Sequence, residues 1–411
     1  MHLRSPRFIC LLALGAQVAT STLSHAQEES AKTKSMITPL PIPAATTFDV
    51  ASFDRARILK GAEAALKQKP LTITDCPAKL SEGGPNDFYS NGDYWWPDPA
   101  KPDGLPYIRK DGSTNPDNFS QHRLVVKTLR NSVAALAAAY TITGEDRYVI
   151  KATELLQVFF IDAKTRMNPS LNFVQAVPGV SPGRGIGIID ALHLIEVPAA
   201  VRAMEGSKAL PPEMGVGLRH WFRELAEWMT TSANGDKEAH ERNNHAVAFY
   251  LQLAVYADFV GDTAKVERCR KEYKEVFVPN QMALDGGFPF ELERTKPYGY
   301  SIFQLDNMTT LCQVLSTPED NLWNFELPDG RGIRKAIAYL YPFLADKTKW
   351  PLKPDIQAWD GWPARQTNLI FGGLALGEKS YLDLWQKLPA DPTDPEVQRN
   401  IGITQPLLWL K

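Results

Sequence analysis

The sequence predicts an all-α protein, an (α/α) toroid or incomplete barrel of helical hairpins with a long N-terminal loop region. Three observations lead there. From Ser120 onward, apolar residues recur at helical spacing in one segment after another. Three turns share one chemistry: Tyr140…Gly144-Glu145-Asp146, Tyr256…Gly261-Asp262 and Leu374…Gly377-Glu378 each end a helix at glycine and start the next at an acidic residue, as helical hairpins require. No alternating apolar–polar run is long enough for a substantial sheet. Repeated hairpins in a chain of this size suggest a toroid of paired helices, although a solenoid would carry the same turns.

Taken in order, residues 1–26 read as a signal peptide. Arg4 and Arg7 precede a short apolar core from Phe8 to Leu14, and Ser24-His25-Ala26 places small residues where a signal peptidase cuts. The expectation is an exported protein, periplasmic or secreted, with no membrane span. Residues 27–48 are polar and then proline-rich, which reads as a linker, and 49–411 form a single domain. A first helix starts near Phe53, carrying Ala56, Leu59, Ala62, Ala65 and Leu66 at helical spacing. From about 69 to 119, Gly, Pro, Asp and Asn crowd the chain, and its aromatic density argues for an ordered, functional loop rather than disorder.

Ser120 is placed to cap a helix whose buried face holds Leu124, Leu129, Val133, Leu136 and Tyr140, and Asp146 opens the next. Later helices are expected over roughly 186–204, 212–232, 244–260, 263–277, 300–316, 331–345, 364–376 and 379–387. The net charge of −2 argues against a dedicated nucleic-acid surface, although a local basic cleft is invisible to net charge. Cys76, Cys269 and Cys312 lie far apart, which disfavours a disulfide framework or a CxxC metal site. One disulfide and three free thiols remain equal readings.

Four segments carry side chains suited to chemistry. The first is Phe88-Tyr89-Ser90-Asn91-Gly92-Asp93-Tyr94-Trp95-Trp96-Pro97-Asp98-Pro99, where Tyr94, Trp95 and Trp96 sit together in a polar, proline-bounded loop. Such rings stack on the C–H faces of sugars or plug the end of a helical barrel, and one ring can do each. The second runs from Asn172 and Gln175 to Gly183-Arg184-Gly185-Ile186-Gly187. Its glycine spacing matches no nucleotide motif and no strand-like run precedes it. Two readings remain: backbone passing close to a bound chain with Asn172, Gln175 or Arg184 reaching ligand, or an ordinary tight helix start.

The third segment is Asn243-Asn244-His245, at the mouth of an apolar helix where backbone N–H groups favour an anion. No HExxH or carboxylate cluster accompanies it, so neither metal nor cofactor is expected. The fourth is Arg294-Thr295-Lys296-Pro297-Tyr298-Gly299-Tyr300, in which a permanent cation stands near two phenols. A tyrosine acts as a base only when nearby cations or donors bring its pKa down from about 10.

These segments, with Glu291-Leu292-Glu293-Arg294-Thr295 and Tyr300-Ser301, fall in the order found in the alginate lyase superfamily, which residues 85–310 resemble. The branch classified as polysaccharide lyase family 38 is the nearest in pattern. The resemblance implies an α/α-barrel, cleavage of uronate polysaccharides by β-elimination, and no obligatory metal. It puts the family's carboxylate-neutralising pair on Asn244 and His245 and its arginine on Arg294. Relatives often carry aromatic-His-Tyr-Ser where this chain has Tyr298-Gly299-Tyr300-Ser301. That register puts the catalytic phenol at Tyr300, with Tyr298 as a competitor because Gly299 replaces the histidine.

The expected chemistry follows. The C5 proton of a uronate is weakly acidic while its carboxylate is charged, so Asn244, His245 and Arg294 would bind that carboxylate and stabilise the dianion that develops. A tyrosine takes the proton, or His245 does for the opposite C5 configuration. Asn243, Tyr94, Trp95, Trp96, Asn172, Gln175 and Arg184 would hold neighbouring sugars of an acidic polysaccharide. Two competing readings are a hydrolase, which needs a carboxylate pair from among Asp98, Asp190, Glu291, Glu293 and Asp306, and a non-catalytic glycan-binding protein.

Overall fold

Helices form where the spacing predicts them, and their ends follow local chemistry. The structure, a computed structural model, describes residues 48–410. The leader over 1–26, and the linker over 27–48 except its last residue, lie outside the described residues. Helix α1 (Arg55–Leu66) buries Ile58, Ala62 and Ala65 and leads into the loop region. That region holds short strands only: β1 (Tyr89–Asn91), β2 (Trp95–Trp96) and β3 (Ile108–Arg109). Strand β2 pairs antiparallel with β3, and β1 pairs in parallel with β4 (Phe173–Ala176).

Helices α2 (Gln121–Thr143) and α3 (Asp146–Leu156) form the first hairpin. Gly144 between them has φ +71°, a left-handed conformation that frees the turn of Cβ strain. Gly261 and Gly377 hold φ +75° and +73° at the two other predicted turns. Two details of α2 depart from expectation. Ser120 stands at its N-cap but its hydroxyl makes no capping bond. Leu124, expected in the core, is 50% exposed and faces the cleft described below.

The stretch predicted as one helix over 186–204 is two elements: a 3₁₀ segment (Gly185–Ile195) followed by α4 (Glu196–Met204). The chain continues through α5 (Pro212–Thr231), α6 (Ala233–Ala239), α7 (Asn244–Val260), α8 (Thr263–Glu272), α9 (Pro289–Leu292) and α10 (Pro297–Leu315). It ends with α11 (Ile333–Ala345), α12 (Thr367–Leu376), α13 (Lys379–Lys387) and α14 (Pro395–Asn400). Helix α10 starts three residues earlier than predicted, because Pro297 fits the first turn and the Asp355 carboxylate accepts from Tyr298 N (2.9 Å) and Gly299 N (2.8 Å). A β-carbon at Gly299 would stand 2.8 Å from Trp362 Nε1, so this packing leaves no room for a histidine there.

The fold is the (α/α) toroid. Helix α2 packs on α1, α3 and α4; α7 packs on α5, α8 and α10; α10 packs on α11 and α12. Helices α7 and α10 are buried almost throughout and carry no solvent-facing polar stripe, their buried polar groups such as Gln252, Gln304 and Asp306 lying inside, as suits inner-wall helices. The C-terminal segment returns to the start of the domain: Arg365 pairs with Asp54, and Arg57 bridges Asp54 and Asp391. Cys76, Cys269 and Cys312 are free thiols. Among the described residues, no helix is long and apolar enough to cross a membrane.

Candidate active site

The N-termini of α7 and α10 open onto one cleft of about 1120 Å³. The short helix α9 stands between them in sequence and joins them in space. Glu291 on α9, 1% exposed, accepts from Asn244 N (2.7 Å) and from Asn244 Nδ2 (2.6 Å). One carboxylate thus caps α7 and fixes the amide of Asn244, whose second N–H is not used by this contact. Burial pushes the Glu291 carboxyl up, and the two bonds from Asn244 pull against that.

His245 follows one residue into α7, its backbone N–H donating to the Asn243 side chain (3.2 Å). Its Nδ1 lies 2.8 Å from Oε1 of Glu238, a fully buried carboxylate on α6. Burial alone would lower the imidazole's pKa, but Glu238, with smaller help from Glu241 and Glu291, raises it above the ordinary value. The imidazolium therefore persists to higher pH than in a free histidine, leaving Nε2–H as the donor Glu238 does not engage. Burial likewise pushes Glu238 up, with His245 pulling it down.

Across the cleft, the first turn of α10 presents Tyr300. Its hydroxyl meets the hydroxyl of Tyr94 at 2.6 Å, and Arg294 Nη2 approaches it at 3.4 Å. The Arg294 guanidinium also lies 4.6 Å from the Tyr300 ring centre, and the Lys296 ammonium lies 5.3 Å from the same ring. The expectation that Arg294 brings the phenol below its ordinary value is not met, although Arg294 pulls in that direction. Burial and the neighbouring Tyr94 outweigh Arg294, so Tyr300 titrates well above its ordinary value. Arg294 itself is held by Asp111, at 3.0 Å from Nη2 and 3.3 Å from Nε.

Tyr298 is not in the cleft. It is fully buried, donates to Phe343 O at 2.9 Å, and packs against Trp350 and Trp359. Two residues apart on one helix cannot share a face, and Asp355 capping turns Tyr298 inward and Tyr300 outward. Five further residues divide the same way. Trp95 lines the cleft with Arg184 5.4 Å from its ring, whereas Trp96 lies outside it, donates to Ser113 O and carries Lys110 on its ring. Asn172 also lies outside, accepting from Trp228 Nε1. Asn243 and Tyr94 line the cleft.

Gln175 and Arg184 line the cleft as a locked pair. Gln175 adopts φ +44°, rare for a residue with a side chain, and four contacts enforce it: Ser90 Oγ, Asp190, and two from Arg184. The glycines beside them serve packing rather than ligand approach. A β-carbon at Gly183 would stand 1.9 Å from Asn172 O, and one at Gly187 would stand 2.6 Å from Val174 Cγ2. Both abut the protein's own β4 segment.

An ion network forms the rest of the cleft wall. Asp93 is gripped by Arg123 and Arg399, and Lys296 pairs with Glu396 on α14. Burial would raise the Asp93 carboxyl, but the two guanidinium groups hold it well below the usual carboxylate range. Sequence reasoning gave no site role to Glu238, Asp111, Asp93 or α14, and the one role it gave Glu291 was that of a hydrolase carboxylate. Glu238 lies seven residues before His245 but across a helix break, and Glu291 lies 47 residues from Asn244, so no periodicity links either pair. Among the described residues, no group of three or more His, Cys, Asp and Glu is placed to hold a metal ion.

Residues 73–350 match the family described as alginate lyase. Among solved structures, the chain is similar to an alginate lyase from Bacteroides ovatus, with 34% identity and a TM-score of 0.74, covering 87% of this chain and 93% of that one. It is also similar to alginate lyase A1-III from Sphingomonas species A1 (15% identity, TM-score 0.52, covering 86% and 94%). A histidine-to-alanine variant of alginate lyase A1-III complexed with a tetrasaccharide gives 15% identity and a TM-score of 0.57, covering 87% and 94%. At that identity the likeness is one of fold. No curated protein matches the chain.

Proposed function

The chain belongs to the alginate lyase family and is a polysaccharide lyase, and from that premise we propose that it is an exported enzyme cleaving mannuronate-rich alginate by β-elimination at the Asn244–His245–Arg294–Tyr300 cleft. The observation that carries this reading is the meeting of two kinds of group across one cleft. On one side are donors for a carboxylate, on the other a phenol beside a fixed cation. The histidine-to-alanine variant of alginate lyase A1-III, a relative in fold, is complexed with a tetrasaccharide.

The chemistry starts at the uronate carboxylate. Its negative charge suppresses loss of the C5 proton, so it must be neutralised as the dianion forms. The His245 imidazolium, kept charged by Glu238, supplies one donor, and Asn244, held by Glu291, supplies a second. Each well-placed donor to a developing oxyanion contributes about 3–4 kcal/mol, or roughly 10²–10³ in rate. Because both ring nitrogens of an imidazolium carry protons, His245 in this state is a donor and not a base.

Tyr300 is then the base. As its oxygen takes the C5 proton, the C4–O bond breaks, a C4–C5 double bond forms and the 4-linked sugar leaves. A base on one side of the cleft suits uronates whose C5 proton and C4 oxygen lie on one face. Mannuronate and glucuronate share that C5 configuration and guluronate does not, so glucuronan is the second substrate compatible with the same geometry. Trp95 and Arg184 on the cleft wall would hold a neighbouring uronate by stacking and by charge.

A hydrolase is less well supported. Of Asp98, Asp190, Glu291, Glu293 and Asp306, only Asp190 lines the cleft, and it is committed to Arg123, Ser90 and Gln175. The deciding experiment incubates the enzyme with polymannuronate, glucuronan and polyguluronate without added metal. The expected result is ultraviolet absorbance from unsaturated uronate ends, fastest on polymannuronate. New reducing ends without that absorbance would replace elimination by hydrolysis.

A further inference from the structure

β-Elimination needs a proton removed at C5 and a proton delivered to the oxygen leaving C4. A single phenol must do both in turn, handing on the proton it has just accepted. This cleft holds two phenols. Tyr94, on the loop before β2, and Tyr300, on the first turn of α10, lie 206 residues apart in sequence and meet at 2.6 Å. That is a short hydroxyl–hydroxyl hydrogen bond, and both residues line the cleft.

The surroundings suit a pair that carries one negative charge between two oxygens. The Lys296 ammonium lies 5.0 Å from the Tyr94 ring centre and 5.3 Å from that of Tyr300. Arg294 reaches the Tyr300 hydroxyl, and Arg399, paired with Asp93 and Glu396, faces Tyr94. A phenolate that faces fixed cations forms at lower cost than one without them, and Arg294 and Arg399 both pull the Tyr300 phenol in that direction. Tyr94 is also held in place. Lys110 N donates to its carbonyl (2.8 Å), and the Asn115 and Asn118 side chains donate to the flanking Trp95 O (3.1 Å) and Gly92 O (2.9 Å). Its hydroxyl is thereby positioned before substrate arrives.

We propose that Tyr94 is a second catalytic residue, the general acid that protonates the leaving C4 oxygen while Tyr300 removes the C5 proton. The proposal rests on Tyr300 as the base. In the productive form Tyr300 is a phenolate and Tyr94 donates its hydroxyl proton to it. Tyr300 oxygen takes the C5 proton, the C5–H electron pair becomes the C4–C5 π bond, and the C4–O pair leaves with the sugar oxygen. That oxygen receives the Tyr94 proton. Tyr300 is now neutral and Tyr94 a phenolate; one proton crossing the 2.6 Å contact restores the starting pair. No net proton and no co-reactant is consumed. Adjacent phenols on one side of the cleft serve a C5–H and a C4–O on one face of the sugar, in keeping with mannuronate.

The test compares two leaving groups. Tyr94→Phe keeps the ring and removes only the hydroxyl. The first substrate is polymannuronate, read by ultraviolet absorbance; the second is a 4-deoxy-4-fluoro-mannuronoside, whose fluoride departs without a proton and is read with a fluoride electrode. Tyr94→Phe is expected to lose about 10²–10⁴-fold in kcat on polymannuronate and to keep fluoride release within a few-fold of wild type, which also reports an intact fold. Tyr300→Phe is expected to lose both activities. Full polymer activity in Tyr94→Phe, or an equal loss on both substrates, would overturn the assignment of Tyr94 as acid. A wild-type enzyme that makes no unsaturated ends would instead overturn the lyase reading beneath it.

Discussion

Replacing Glu238 by Gln keeps the shape beside His245 and removes the charge that holds its proton. Glu238 is fully buried and its Oε1 lies 2.8 Å from His245 Nδ1. A charge-assisted hydrogen bond contributes about 1.5–3 kcal/mol and a neutral one about 0.5–1.5, so the substitution removes roughly 1–1.5 kcal/mol from the imidazolium. At 1.36 kcal/mol per tenfold, that is about a five- to twelvefold loss of the protonated form.

The pH profile shows where the loss falls. The productive form needs an imidazolium and a phenolate together, and Tyr300 titrates well above its ordinary value while His245 titrates above its own lower one. The acid limb of kcat/KM therefore follows His245, the alkaline limb follows the phenol pair, and the plateau between them scales with the His245 proton affinity. Glu238→Gln should move the acid limb to lower pH and lower the plateau about five- to twelvefold, while activity well below the limb stays at the wild-type level. Steady-state rates on polymannuronate across the pH range provide the measurement. A plateau within twofold of wild type with the acid limb unmoved would refute the role given to Glu238.

Three further predictions concern the scaffold. Tyr298→Phe removes the bond to Phe343 O and should cost about 0.5–1.5 kcal/mol in denaturant unfolding while leaving kcat unchanged; a collapse of kcat would return Tyr298 to the site. Gly187→Ala drives a β-carbon to within 2.6 Å of Val174 Cγ2 and should destabilise the 3₁₀ segment by about 1–3 kcal/mol, read as a lower unfolding midpoint. Asp93→Asn leaves Arg123 and Arg399 short of a buried partner and should cost about 3–5 kcal/mol at neutral pH. Because the folded Asp93 carboxyl lies below its unfolded value, its contribution is present above the unfolded pKa of about 3.9 and is lost as pH falls through the folded one. Acid unfolding curves of wild type and Asp93→Asn should accordingly converge toward low pH; curves that stay parallel would contradict the assignment.

Local chemistry was legible and long-range pairing was not. Glycine followed by an acidic residue marked the hairpins at Gly144, Gly261 and Gly377 because backbone sterics and the helix dipole act within one turn. Leu124 fitted the apolar period of α2 yet faces the cleft, since periodicity reports a helix face and not what that face meets. The 3₁₀ segment that replaces the first part of the helix expected over 186–204 begins where Gly185 and Gly187 pack closely on Asn234 and Val174, contacts no spacing encodes. Asn244, His245, Arg294 and Tyr300 were named from motif and resemblance. The carboxylates that orient Asn244, His245 and Arg294, namely Glu291, Glu238 and Asp111, lie on other elements, and which of Tyr298 and Tyr300 faces the cleft depends on Asp355, 55 or more residues away. Helix α14, which brings Glu396 and Arg399 into the cleft, has only six residues and no apolar pattern of its own.

The most direct test of the central claim is the single-turnover yield of unsaturated uronate by Tyr300→Phe, measured on polymannuronate alongside equilibrium binding of the same polymer. Binding should stay close to wild type, because the ring and the carboxylate donors Asn244, His245 and Arg294 remain in the cleft, while formation of the C4–C5 double bond is abolished. Unsaturated ends formed at the wild-type rate would place the base elsewhere and contradict that claim.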